Sequence, residues 1–391
     1  MLLKEFITQV RGVSYKPNNI LGKGMGIPIL RANNIKDGKI NLDDLIYIDK
    51  AVIKKEQILK SGDIVLCTSS GSKDLVGKAG TFNGNEQDIS FGAFCKVVRV
   101  IDCDKINRDF IRLFFQSPTY KKQIADSSIG ANINNIKTEH IDNLSIYIPS
   151  IKAQNIAVKE INVLIESIDG LEKKLSYFDE LIKSRFIEMF GNPIDESRVN
   201  CIFTKMCVFN PKKSEVREMM NIECSFVPME CVGVDGSFSI KENGPISKYY
   251  KGYTYFRNND VLLAKITPCF ENGKSAIAEG CKNGIGFGTT EFHVCRCIEG
   301  ISNPIWLKHL LKNDALHFYA TTKMTGSAGQ KRIQTPFFES LKIYVPDIES
   351  QNKFAEFVKL IDKSKFVVQQ QIKDLQELLN KKMDEYFGGN L

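Results

Sequence analysis

Two polar loops hold the side chains of this 391-residue chain that are best suited to chemistry. TSSGSKDLVGKAG (residues 68–80) follows the apolar run DIVLC, and KITPCFENGKSAI (residues 265–277) follows DVLLA. Both are rich in Ser, Thr, Asn and Gly and both contain Gly-Lys, so short hydrogen-bonding groups, a cation and close backbone approach coincide. That set suits contacts to base edges and phosphates rather than bond-making. A second polar segment follows in each half, GANINNIK (residues 130–137) and GSAGQKRI (residues 326–333). Asn and Gln are the natural readers of adenine, Lys and Arg of guanine and phosphate. A solvated surface loop would have a similar composition. What sets these loops apart is their position after corresponding strands with different residues at the tips.

Signatures of catalysis are missing. The four histidines, His140, His293, His309 and His317, have no metal-ligand spacing. Eleven cysteines are scattered, with Cys295 and Cys297 the only close pair and no C-x-x-C, so reduced and mostly buried thiols are expected and no metal. Gly22-Lys23-Gly24-Met25-Gly26 lacks the spacing of a phosphate loop and reads as a flexible turn. Pro346-Asp347 has no Asp/Glu-x-Lys at nuclease distance, and no Asn/Asp-Pro-Pro-aromatic tetrapeptide marks an amino-methylating site. The chain is therefore expected to perform no chemistry itself. A net charge of +7 permits a polyanionic partner without requiring one. The N-terminal run MLLKEFITQV is too short and interrupted for a signal peptide, and no eighteen apolar residues are consecutive. A soluble, cytoplasmic protein with no membrane partner is the expectation.

The elements that carry these loops occur twice. LSIYIPSIKAQN aligns without a gap on LKIYVPDIESQN, a displacement of 341 − 144 = 197 residues. The same displacement carries DIVLC onto DVLLA, Val97 and Arg99 onto Val294 and Arg296, and Phe190-Gly191 onto Phe387-Gly388. A period this long makes each copy a domain with its own core. In each copy a mixed region ends in β-favouring residues before Pro149 or Pro346, where a strand is expected. Asp37-Gly38 and Asp235-Gly236 are turn signals at nearly equivalent places.

Beyond each proline the period changes to seven. Ile161, Leu164, Ile168, Leu171, Leu175, Phe178 and Ile182 form an a/d seam, and a helix is expected over about residues 151–190, stopped by Gly191 and Pro193. Val358, Ile361, Val368, Ile372, Leu375 and Leu379 form the second seam, interrupted by Lys365 and Lys382. Forty residues of helix span about 60 Å. Such a rod pairs most simply with its counterpart, although its own domain or another chain would also satisfy the stripe. The expected fold is α+β, with two globular α/β domains (residues 1–148 and 192–345) alternating with two long antiparallel coiled-coil helices (149–191 and 346–391) in a pseudo-twofold internal repeat.

Over its whole length the chain resembles the specificity subunits of type I restriction-modification systems. The resemblance is carried most clearly by LLAKITPCFENGKSAIAEG, GFGTTEFHV and GSAGQKRI running into LKIYVPDIESQNKFAEF; LCTSSGSKDLVGKAG looks like a second variant of the recognition loop. It implies that each domain reads one half of a split, asymmetric site in double-stranded DNA while the helices set the spacer. It also implies two docked modification subunits, which use S-adenosylmethionine on adenine, and restriction (translocase-nuclease) subunits, which use ATP and Mg2+. On this basis Arg31, Asn33, Asn34, Ser69, Ser70, Ser72, Lys73, Lys78, Asn132 and Asn134 are candidate DNA contacts of the first domain. Lys265, Thr267, Asn272, Lys274, Thr289, Thr290, Gln330, Lys331 and Arg332 are those of the second. From another class, a coiled-coil interaction scaffold with two binding domains and no DNA affinity is the alternative.

Overall fold

A computed structural model describes residues 1–36, 38–71, 75–84, 87–101, 104–127, 135–327 and 329–388. The chain folds as two units, one of Met1–Glu172 with Gln369–Leu391 and the other Lys173–Val368. The 197-residue displacement survives in the elements. Strand Ile64–Cys67 answers Val261–Ala264, strand Cys95–Val100 answers Phe292–Cys297, and helix Ile151–Phe190 answers Ile348–Phe387.

In the first unit an antiparallel run orders Ile7–Arg11, Cys95–Val100, Ile64–Cys67 and Ala79–Thr81, extended by two short strands. A second sheet places Ile27–Leu30 parallel to Ser90–Phe91. The second unit repeats this plan. Cys207–Phe209, Phe292–Cys297, Val261–Ala264 and Ser275–Ile277 form one sheet, and Glu223–Val227 lies parallel to Ile285–Gly288 in another. The central strands Ile64–Cys67 and Val261–Ala264 are buried on both faces, which is why they read as unbroken apolar runs.

Each copy ties its central sheet with the same ion pair. Arg99 Nε and Nη2 donate to the two carboxylate oxygens of Asp63 at 2.8 and 2.7 Å, and Arg296 holds Asp260 in the same way at 2.9 and 2.8 Å. Both acids are buried. Burial of such a charge is tolerated because the guanidinium fork satisfies both oxygens.

The repeated Gln-Asn of KAQN and ESQN is a latch between each sheet domain and its long helix. Gln154 Oε1 accepts from Asn107 N at 2.8 Å while its Nε2 donates to Lys105 O at 2.8 Å, and Asn107 Nδ2 donates to Asn155 Oδ1 at 2.7 Å. Gln351, Asn303 and Asn352 repeat the arrangement. Asn107 and Asn303 also cap the helices Arg108–Phe114 and Pro304–Leu311.

All thirteen residues of the two apolar seams are buried or half-buried along the long helices. In the second unit Phe354 meets Phe186 and Phe190 edge-on at 5.4 and 5.6 Å, while Lys365 pairs with Asp179, so the helix segments run antiparallel. In the first unit Glu160 accepts from Tyr386 at 2.8 Å and pairs with Lys382 at 3.3 Å. The two lysines that interrupt the seam thus each reach a carboxylate on the facing helix.

The strands expected before the prolines differ between copies. Lys342–Ile343 pairs with Cys201–Ile202, but its counterpart in the first unit is reduced to a single bridge between Ser145 and Leu2. There the partner is the chain start, and Leu3 and Met1 bond Leu144 O and Ile146 O without forming a ladder. Gly236 adopts φ +91° beside Asp235, which accepts from Ser237, so the second turn forms; Asp37 lies outside the described residues. The ten described cysteines are all free thiols, six of them buried.

Candidate nucleic-acid interface

Strand direction gathers the loops of the first domain at one end. Ile7–Arg11 finishes opposite Lys96, Ile64–Cys67 opposite Cys95, and Ile27–Leu30 beside Phe91. Arg11, Arg31, Thr68 and the turn of Gly92, Ala93 and Phe94 therefore emerge together. Ser69 bridges Asn135, and Ile136 N donates to Thr68 O at 2.7 Å, which brings the two polar segments side by side. A groove of about 680 Å³ lies here, lined by Arg11, Thr68, Lys96, Asn135, Lys137 and Thr138. Lys96 is buried and donates to Thr138 Oγ1 at 2.8 Å. Burial, reinforced by the Arg11 charge, pulls its ammonium pKa below the ordinary lysine value.

The expected contacts of this domain do not all reach the groove. Ser69 and Ser70 are half-buried near it, whereas Ser72, Lys73, Asn132 and Asn134 fall outside the described residues. Lys78 is exposed just before strand Ala79–Thr81 and lines a different groove of about 1200 Å³ with Lys39, Tyr120, Ile168 and Leu379. Arg31 and Asn33 both bond the Asp44 carboxylate, at 2.7 and 3.3 Å. Asn34 is a correction to the sequence reading. It is buried, its Oδ1 accepts from Arg31 N at 2.8 Å and its Nδ2 donates to Asn41 O and Asp44 O, so the amide holds the loop rather than facing outward.

In the second domain convergence is tighter. Lys265 N donates to Glu291 O, Ile333 N to Lys265 O and Thr267 N to Lys331 O, each at 2.9 Å. Thr325 and Arg332 exchange backbone bonds at 3.0 and 2.8 Å, closing a hairpin around GSAGQKR. Gly326 at φ +130° permits this closure, since a Cβ there would stand 2.8 Å from Gln330 O. Lys265, Thr267, Thr289, Thr290, Gln330, Lys331 and Arg332 thus share one surface, with Thr290, Gln330 and Lys331 exposed. Arg332 is bidentate to Glu291 at 2.9 and 3.0 Å and holds that carboxyl below the usual range, so its charge is balanced within the site. Lys274 turns back to donate to Met229 O at 3.1 Å, and Asn272 is exposed on the loop between them.

Beneath this surface lies His293, which sequence spacing left without a role. Its Nε2 bonds Ile333 O at 3.0 Å and its Nδ1 faces Asn210 Nδ2 at 3.2 Å, partners that fit the neutral ring with the proton on Nε2. Burial pushes its pKa down to about 4. The unfolded ring takes a proton below about pH 6.5 and the folded one does not, so stability is complete above that pH and falls as pH drops toward 4. Urea unfolding of the second unit should show a loss of about 2 kcal/mol at pH 5 relative to pH 7.5 from this group. His293→Gln should remove that share of the slope; an unchanged slope would contradict the assignment.

Among the described residues no group of three His, Cys, Asp or Glu side chains could hold a metal ion, and no helix is long and apolar enough to cross a membrane. His317 stacks on Phe270 and bonds its carbonyl at 2.7 Å, and His309 is packed edge-on against Phe354.

Two copies of one α/β domain, each presenting polar loops at one end of its sheets, define a duplicated binding protein. The model for the type I restriction modification DNA specificity domain matches residues 2–176 and 231–377, and the chain belongs to that family. It is 26% identical over 381 residues to the StySPI specificity subunit of Salmonella potsdam, covering 91% of this chain and 79% of that one. To the EcoKI specificity subunit of Escherichia coli strain K12 it is 36% identical over 178 residues, covering 45% of this chain and 38% of that one. The fold matches a chain from a solved type I restriction-modification system at TM-score 0.56 and 14% identity, covering all of both chains. It matches the S subunit crystal structure from M. genitalium at 0.51 and 12%, covering 99% and 95%.

Proposed function

We propose that the chain is a DNA-reading subunit in which each domain recognises one half of a split, asymmetric duplex target. The carrying observation is that the same scaffold occurs twice with unlike tips, Lys265, Thr267, Gln330 and Lys331 in one and Ser69, Asn135 and a groove of mixed charge, with Arg11, Lys96 and Lys137 beside Glu139 and Asp142, in the other. Like scaffolds with unlike tips fit two specificities read by polar contacts. On this reading the helices set the spacer and dock two modification subunits. Support comes from apolar side chains left exposed on them, Ile156, Val163 and Leu378 in the first unit and Tyr177, Leu181 and Phe366 in the second. The chain itself performs no catalysis. S-adenosylmethionine belongs to the modification subunits, and ATP with Mg2+ to the restriction subunits.

The test is binding of duplex DNA by the chain alone and with a modification subunit, across a salt series. Specific affinity should rise with the partner, and log K should fall linearly with log salt, by about 0.9 for each phosphate contacted. An interaction scaffold would assemble with its partner and show no salt-dependent DNA binding.

A further inference from the structure

Phe94 is an aromatic ring left 68% exposed at the tip between Ser90–Phe91 and Cys95–Val100. Its seat is rigid. The Phe94 carbonyl accepts from Thr68 N at 2.9 Å, Ser69 N at 3.2 Å and Thr68 Oγ1 at 3.2 Å, and Cys95 N closes the turn on Gly92 O at 2.8 Å. The backbone that carries the ring is thus pinned to the start of the first polar loop. Its neighbour Ala93 lines the groove that holds Arg11, Lys96 and Lys137. A single exposed apolar residue is ordinary on a protein surface. An exposed ring fixed at the convergence of the polar segments stands beside a groove whose lining mixes the cations of Arg11, Lys96 and Lys137 with the carboxylates of Glu139 and Asp142, a polar surface of net positive charge that suits a nucleic-acid duplex. The same tip in the second domain, 197 residues on, carries Glu291 locked to Arg332. The two domains therefore offer opposite chemistry at one structural position.

We propose that Phe94 is a specificity-determining residue of the first domain, packing its ring on the 5-methyl group of thymine at one position of that domain's half-site. This rests on the DNA-reading function proposed above. Among the groups that base edges display in the major groove, the thymine methyl is the apolar one. The hydroxyls, amides and cations of the surrounding loops have nothing to gain from it, whereas an exposed ring does.

The experiment uses the chain assembled with a modification subunit and a duplex bearing the methylated target of that complex. Thymines of the first half-site are replaced one at a time by deoxyuridine, which removes only the methyl. One replacement should weaken binding by about fourfold, the transfer value of one buried methyl-sized group. Phe94→Ala should weaken the thymine duplex by at least as much and bind thymine and uracil duplexes equally at that position. Phe94→Leu should keep the discrimination, and replacements in the other half-site should be indifferent to position 94. The inference is overturned if Phe94→Ala binds like the wild type, or if it loses affinity while keeping the methyl discrimination, as a wedge between base pairs would. A half-site without thymine on either strand overturns it as well. If the wild-type complex shows no specific DNA binding, the DNA-reading function falls with it; specific binding without coupling between position 94 and the methyl sinks this inference alone.

Discussion

Asp63→Ala is expected to destabilise the sheet of the first unit by about 3–5 kcal/mol, the cost of leaving one partner of a buried ion pair unmatched. Asp63 Oδ2 also accepts from Lys60 N at 2.8 Å, so the substitution orphans a backbone donor and leaves the Arg99 guanidinium only the Ile58 carbonyl at 3.3 Å. Asp260→Ala should do the same to the second unit but cost less, because Arg296 Nη1 keeps Glu215 Oε2 at 2.8 Å. Hydrogen exchange of the amides in Cys95–Val100 and Phe292–Cys297 reads the two units separately. Each substitution should accelerate exchange in its own unit. Replacing both members of a pair by apolar residues should recover most of the loss, because no unpaired charge remains. Equal small effects from single and double variants would show that the pair is not what ties the sheet.

The largest functional effect is expected at the hairpin of the second domain. Gln330 and Lys331 are exposed on a loop fixed at both ends by backbone bonds, Thr267 N to Lys331 O at 2.9 Å and the Thr325–Arg332 pair. Gln330→Ala should remove a base-edge contact worth about 1–3 kcal/mol, roughly 5- to 150-fold, and relax preference at one position. Lys331→Ala should weaken binding to all sequences alike and reduce the salt slope by about 0.9. Neither side chain supports the core, so thermal unfolding should be unchanged. Arg332→Ala is different in kind. It frees the Glu291 carboxylate within the site, so it should lower DNA affinity through the exposed negative charge as well as through any lost contact. Titration of wild-type and variant complexes against the target duplex and single-base variants separates these outcomes.

Much of this architecture is legible in the sequence because it is written in periodicity. A seven-residue apolar repeat bounded by proline and glycine places the long helices, and the 197-residue displacement pairs their ends and those of the central strands. Contacts between residues far apart in sequence are less legible. Asp63 and Arg99 align with Asp260 and Arg296 as matching letters, yet nothing in periodicity says that residues 36 apart bind each other. Asn34 has the composition of a reader, but a short amide is as apt to cap a local turn as to face a ligand, and local bonding wins here. Arg332 has Glu291 beside it because a strand end and a hairpin meet there, a pairing that spacing along the chain does not announce. Phe94 is not legible as an outward contact because aromatic residues signal core, and only the turn geometry leaves this ring outside.

The most direct test of the central claim is sequencing of adenine methylation in cells that express the chain with its modification subunit, before and after residues 192–345 are exchanged for an unrelated second domain. Two recognition domains with separate specificities predict a split motif methylated on both strands, in which the exchange alters one half and leaves the other unchanged. A motif altered in both halves, or an assembled complex that leaves no motif at all, would contradict it.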